Sequence, residues 1–169
     1  MAPTWLSWCI TKITFMKTLF LKKLSSLILK IYVFIFYNEL FYKKNIIYFG
    51  FFTIKNIKKL SIKGRININD HVYINAKGGI TLGDRVTLSA GSKLISTGLL
   101  INDHGITTEH IDKEIIISDN VQIGAGAIVL AGVSICENVV VGAGAIVTRN
   151  IEKSGVYVGS PAKCIRLFK

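Results

Sequence analysis

Two of the three histidines, His104 and His110, lie six residues apart in the polar stretch from Ile101 to Ile116, among Asp103, Glu109, Asp112 and Glu114. An imidazole titrates close to neutral pH, so it can take a proton from a poor nucleophile and pass it on. Imidazoles beside carboxylates also suit zinc, but two histidines at this spacing are a thin donor set and no metal is expected. His71, beside Asp70, reads as a surface residue. Cys9, Cys136 and Cys164 form no CxxC and cannot all pair, which favours a reduced cytoplasmic location and offers no cysteine zinc site.

The polar stretch interrupts a regular pattern. From Ile117 to Glu152 an aliphatic residue recurs at every sixth position: Ile117, Ile123, Val129, Ile135, Val141 and Val147. Four residues after each comes a small or branched one: Val121, Ala127, Val133, Val139, Ala145 and Ile151. Neither helix nor strand has this period. Stacked units that each turn the same residue inward do. Three six-residue sides would make a coil of eighteen, with Gly124, Gly126, Gly132, Gly142 and Gly144 supplying bends that a Cβ forbids.

Upstream, the beat is expected from about Ile57, through Ile62, Ile68 and Ile74, with Ile66 and Val72 at the corner position. It slips by two residues at Lys77-Gly78-Gly79, resumes at Leu82, Leu88 and Leu94, and is lost between Leu100 and Ile117. An excursion from a rigid coil is where function tends to sit, and this singles out the loop 101–116.

Charge is divided unevenly. Residues 1–63 hold eleven lysines, no arginine and one acid, Glu39, so ten of the eleven net positive charges lie there. Residues 1–56 therefore read as an apolar, basic, helical segment ahead of the repeat domain 57–169, whose tail is 153–169. The uncharged run Ile31 to Asn38 is far shorter than the roughly twenty apolar residues of a spanning helix, and no cleavage site of small residues follows it. Two roles compete for residues 1–48: contact with an anionic membrane surface, or a cap on the first coil. Lys12, Lys23 and Lys30 share one helical face whereas Lys17 and Lys22 do not. Met16 is a reasonable alternative start. Nucleic acid is not an expected partner, since the basic residues are lysines scattered among hydrophobics.

The set Asp119-Asn120-Val121, Ile123-Gly124-Ala125-Gly126, Val133-Ser134-Ile135, Val141-Gly142-Ala143-Gly144, Val147-Thr148 and Gly159-Ser160-Pro161-Ala162-Lys163 resembles the hexapeptide-repeat acyltransferases. The branch it is most similar to is that of bacterial sugar O-acetyltransferases, including the galactoside, maltose and surface-polysaccharide enzymes. The resemblance covers roughly residues 60–169. It implies a mainly β fold, a left-handed parallel β-helix assembled as a homotrimer. It implies acetyl-CoA as donor and a sugar or glycan acceptor, in the cytoplasm or at the inner face of its membrane.

The family's catalytic histidine lies in a loop after the middle coils, and Asp103-His104-Gly105 matches that context; His110 is the alternative. On this reading His104 accepts the hydroxyl proton during direct attack on the thioester, and Asp103 or Glu109 orients the ring. Gly124 or Gly142 would donate N–H groups to the oxyanion. Gly124, Ala125, Gly142 and Ala143 would face the pantetheine arm, and Arg149, Lys163 and Arg166 the phosphates. Asn75 would face the acceptor. Gln122 stands where many relatives carry an aromatic residue, and Arg149 where lysine is commoner. Rival expectations are N-acetylation of an amino sugar, acetylation of a xenobiotic, a carbonic-anhydrase-like metal site, and a non-catalytic structural β-helix.

Overall fold

The computed structural model describes residues 5–41, 45–103 and 105–169. It divides into two compact units, Met1–Lys43 and Lys44–Lys169. The first is helical. Trp5–Phe36 contains neither Gly nor Pro and runs unbroken for 32 residues, followed by the short helix Asn38–Phe41. Among the described residues no helix is long and apolar enough to cross a membrane.

The second unit is a parallel β-solenoid of about five turns with three faces. The first face stacks Ile46–Tyr48, Ile66–Ile68, Val86–Leu88, Val121–Ile123, Val139–Val141 and Gly155–Val158, and ends with the antiparallel strand Lys163–Leu167. The second stacks Thr53–Lys55, Tyr73–Asn75, Lys93–Ile95, Ile128–Leu130 and Ile146–Val147. The third stacks Leu60–Ile62, Ile80–Leu82, Ile115–Ile117 and Ser134–Ile135, with Ile151 bridged to Ile135.

Like sits on like within the prism. Leu88, Ile123 and Val141 are in register on the first face, and Leu94, Val129 and Val147 on the second. All twelve residues assigned to the inward and corner positions between Ile117 and Ile151 are buried. Burying one such aliphatic side chain is worth about 1.5–3 kcal/mol, so the repeat is its own stabilisation. Ile62, whose strand pairs on one side alone, is only half-buried.

Three expectations are corrected. The solenoid begins at Ile46, not Ile57, since Ile46–Tyr48 pairs in register with Ile66–Ile68. The early coils hold twenty residues rather than eighteen, as the pairings Ile46 with Ile66 and Ile66 with Val86 show. The slip at Lys77-Gly78-Gly79 is thus no isolated accident. The corner between the second and third faces takes eight residues from Ile54 to Ile62, eight again from Ile74 to Leu82, six from Val129 to Ile135 and four from Val147 to Ile151. In the third coil the same corner opens out altogether. There the polar stretch is not a loop but an antiparallel hairpin, Thr97–Asn102 with Gly105–Asp112.

Candidate functional site

The hairpin is fastened at its root. Ser96, fully buried, donates from Oγ to the carbonyl of Asn75 at 2.8 Å and accepts from the N–H of Gly78 at 2.9 Å. Its own carbonyl accepts from Lys113 N–H at 3.1 Å, so the chain leaves and returns at one point. Gly78 has to be glycine here, because a Cβ would lie 2.3 Å from the Ser96 carbonyl oxygen and 2.5 Å from the Lys113 nitrogen. Thr97 Oγ1 donates to Asp112 Oδ1 at 2.6 Å, and Lys77 Nζ lies 3.5 Å from Asp112 Oδ2. The Thr97 hydrogen bond, ahead of the charges of Lys77 and His110, holds the Asp112 carboxyl below its ordinary range. Of these root residues, Asn75 is a sequence candidate and Asp112 is one of the carboxylates around the histidines; Ser96, Thr97 and Lys113 were not singled out, although the Gly78-Gly79 slip marked the corner.

Asp103 lies exposed in the turn between the hairpin strands, and Gly105 follows with φ +114°. His104, between them, lies outside the described residues. His110 is exposed on the returning strand opposite Leu99, past an irregularity in the pairing. Glu109 is exposed, and its N–H donates to Thr107 Oγ1 at 3.2 Å. Glu114, beyond the hairpin, accepts from Thr81 Oγ1 at 2.7 Å.

The glycine-rich segments occupy a different corner, between the first and second faces. Gly124-Ala125-Gly126-Ala127 and Gly142-Ala143-Gly144-Ala145 are turns whose third residues, Gly126 and Gly144, have φ +66° and +68°. That position favours glycine. Gly126 N–H donates to Ala90 O and Gly144 N–H to Ala125 O, which knits one coil to the next. The expected oxyanion donors are not available: Gly124 N–H donates to Val141 O at 2.8 Å and Gly142 N–H to Tyr157 O at 2.7 Å. Gly124 is buried, with the backbone of Val141, Gly142 and Ala143 only 2.6 Å from where a Cβ would stand. Ala125 and Ala143 are exposed. The column ends at Gly159 and Ala162, which bond to Ile146, and Lys163 follows directly.

The structure therefore sorts the predicted residues into two groups. Asn75, the hairpin and Arg149 share the corner between the second and third faces, where Asn75 Oδ1 accepts from Asn56 Nδ2 at 3.0 Å. Gly124, Ala125, Gly142, Ala143 and Lys163 share the corner at the other edge of the second face. Arg166 lies on the terminal antiparallel strand of the first face, opposite Val156. The solenoid of one chain does not bring the groups together. Among the described residues no cluster of three or more His, Cys, Asp or Glu suited to a metal ion is present. A groove of about 560 Å³ on the first face, lined by Arg85, Asn120, Gln122, Asn138 and Phe168 among others, was not anticipated. Of these lining residues, the sequence singles out Gln122 and, within the repeat motif, Asn120; Arg85, Asn120 and Asn138 all stand at positive φ.

Repeat, coil and corner hairpin together define a hexapeptide-repeat β-solenoid, and residues 114–149 match the family model described as bacterial transferase hexapeptide (six repeats). Three of the solved structures it is similar to are acetyltransferases. A maltose O-acetyltransferase from Clostridium difficile 630 is 26% identical, with 75% of this chain and 68% of that one covered and a TM-score of 0.66. A hexapeptide-repeat acetyltransferase from Vibrio cholerae O1 biovar eltor, complexed with acetyl coenzyme A, is 25% identical, covering 72% and 71% with a TM-score of 0.66. A galactoside acetyltransferase in complex with coenzyme A is 26% identical, covering 73% and 64% with a TM-score of 0.61. No curated protein matches the chain by sequence.

Proposed function

We propose that this protein transfers an acetyl group from acetyl-CoA to a hydroxyl of a sugar, in the synthesis of a surface glycan, with His104 as general base. The observation that carries the reading is the hairpin Thr97–Asn102 and Gly105–Asp112, fastened to the third coil by Ser96, Thr97 and Asp112, with Asp103 and Gly105 the sequence neighbours of His104. The similar structures crystallised with acetyl coenzyme A or coenzyme A support the donor.

The chemistry asks little of the protein. A sugar hydroxyl attacks the thioester carbonyl as His104 takes its proton; collapse of the tetrahedral intermediate breaks the C–S bond, and the proton goes to the leaving thiolate. The exposed residues Ala125 and Ala143 form an edge along which the pantetheine arm would lie, with Lys163 at its end for phosphate. Since the hairpin and this edge flank opposite sides of the second face, the complete site needs a hairpin from one copy and an edge from the next, which suits a homotrimer.

The test is thiol release from acetyl-CoA over a panel of sugars, oligosaccharides and amino sugars. His104→Ala is expected to lose about a hundredfold to ten-thousandfold in rate, and His110→Ala to stay within severalfold of the parent. Turnover confined to amino groups would replace O-acetylation with N-acetylation. Absence of both coenzyme A binding and turnover would remove the transferase reading.

A further inference from the structure

The helix Trp5–Phe36 carries two opposed stripes along its second half. Lys22, Lys23, Ser26 and Lys30 line one shallow groove with Leu27. At about 100° of rotation per residue these three lysines fall within one 100° arc, so Lys22 joins the basic face from which its sequence spacing had seemed to exclude it. Almost diametrically opposite lie Leu21, Leu24, Ile28, Ile31 and Ile35, within an arc of about 80°. All five are exposed, from 41% for Leu24 to 63% for Ile35.

An apolar stripe of this kind needs an occupant, and charge decides which. Residues 1–63 carry eleven lysines against one acid. Packing several such helices against one another would concentrate like charge, whereas an anionic lipid surface both covers the apolar stripe and neutralises the lysines. Spanning is a poor alternative for a helix interrupted by Lys12, Lys17, Lys22, Lys23 and Lys30.

We infer that Leu21–Phe36 lies in the plane of an anionic phospholipid surface, with Leu21, Leu24, Ile28, Ile31 and Ile35 in the acyl boundary and the lysines drawing it to acidic headgroups. The inference is independent of the acetyl-transfer reading, because binding is measured without donor or acceptor. An enzyme held this way would meet acceptors that are themselves lipid-linked.

The experiment is flotation of the full chain with vesicles of phosphatidylcholine, with and without one quarter phosphatidylglycerol, at low and high salt. The parent should float with the anionic vesicles, lose binding at high salt, and ignore pure phosphatidylcholine. A triple change, Lys22→Glu with Lys23→Glu and Lys30→Glu, should weaken binding by roughly a hundredfold or more, given about fivefold per lysine near an anionic leaflet. Ile28→Asp with Ile31→Asp should abolish it, with circular dichroism showing retained β structure. Failure of the parent to float, equal binding to neutral vesicles, or indifference to the lysine change would overturn the inference. So would an Ile28/Ile31 variant that still floats but has lost its assembly by light scattering, since the stripe would then belong between copies of this chain.

Discussion

Asp112 accepts a 2.6 Å hydrogen bond from the hydroxyl of Thr97, tying together the first and last residues of the hairpin that leaves the third coil. Together with the Lys113 N–H to Ser96 carbonyl bond, this contact closes the hairpin at its root. Asp112→Asn keeps the shape but weakens acceptance from Thr97 and removes the charge facing Lys77. Cleavage after Glu109 by a glutamate-specific protease should become faster, acetyl transfer should fall severalfold or more, and the melting temperature should move little.

The same carboxylate has a pH signature. Its pKa is held low in the folded state, so its contribution is present above the ordinary carboxylate range, near pH 4, and is lost as pH falls through the folded value. The difference in hairpin protease sensitivity between the parent and Asp112→Asn should therefore be full at neutral pH and close below about pH 4. A difference undiminished in acid would show that shape, not charge, fastens the hairpin.

Ser96→Ala removes a buried hydroxyl that serves Asn75 O and Gly78 N–H at once. Asn75 O keeps the N–H of residue 96, but Gly78 N–H is left without its partner at a cost of about 1–3 kcal/mol, so the midpoint of urea unfolding should drop. Ser96→Thr keeps the hydroxyl but adds a methyl at a fully buried position and should restore it only in part.

Two glycines two residues apart should behave differently. Gly126→Ala meets no neighbour and costs only the strain of a left-handed backbone, about 1–2 kcal/mol. Gly124→Ala drives a methyl into the backbone of the next coil and should cost more or abolish folding. Thermal unfolding of the two variants side by side gives the comparison.

Deletion of a core methylene set calibrates the stack. Ile123, in register with Leu88 and Val141 and fully buried, should cost about 2–5 kcal/mol on change to Ala and about 0.5–1.5 kcal/mol on change to Val, read from chemical denaturation.

On the acetyl-transfer reading, Ala143→Leu would obstruct the exposed edge of the solenoid without touching its core. The KM for acetyl-CoA should rise at least tenfold (about 1.4 kcal/mol) while the melting temperature stays put. An unchanged KM would move the donor off this edge.

The period of six was enough to name the inward stack from Ile117 to Ile151, because each position in a coil meets the same position one coil away and so obeys one steric rule. The choice of hairpin over loop was not legible, since antiparallel pairing across residues 97–112 depends on long-range closure at Ser96 and Lys113 rather than on local alternation. Nor was the true beginning at Ile46: the early coils spend two extra residues at one corner, so a reader counting sixes from Ile117 falls out of step there. The sequence alone determined the class of fold and offered candidate residues for the chemistry. Only the tertiary structure decided where those residues stand, placing the hairpin and the Ala125–Ala143 edge on opposite sides of one face, and consuming the N–H groups of Gly124 and Gly142 in the ladder, because backbone pairing between coils is set by register and not by residue type.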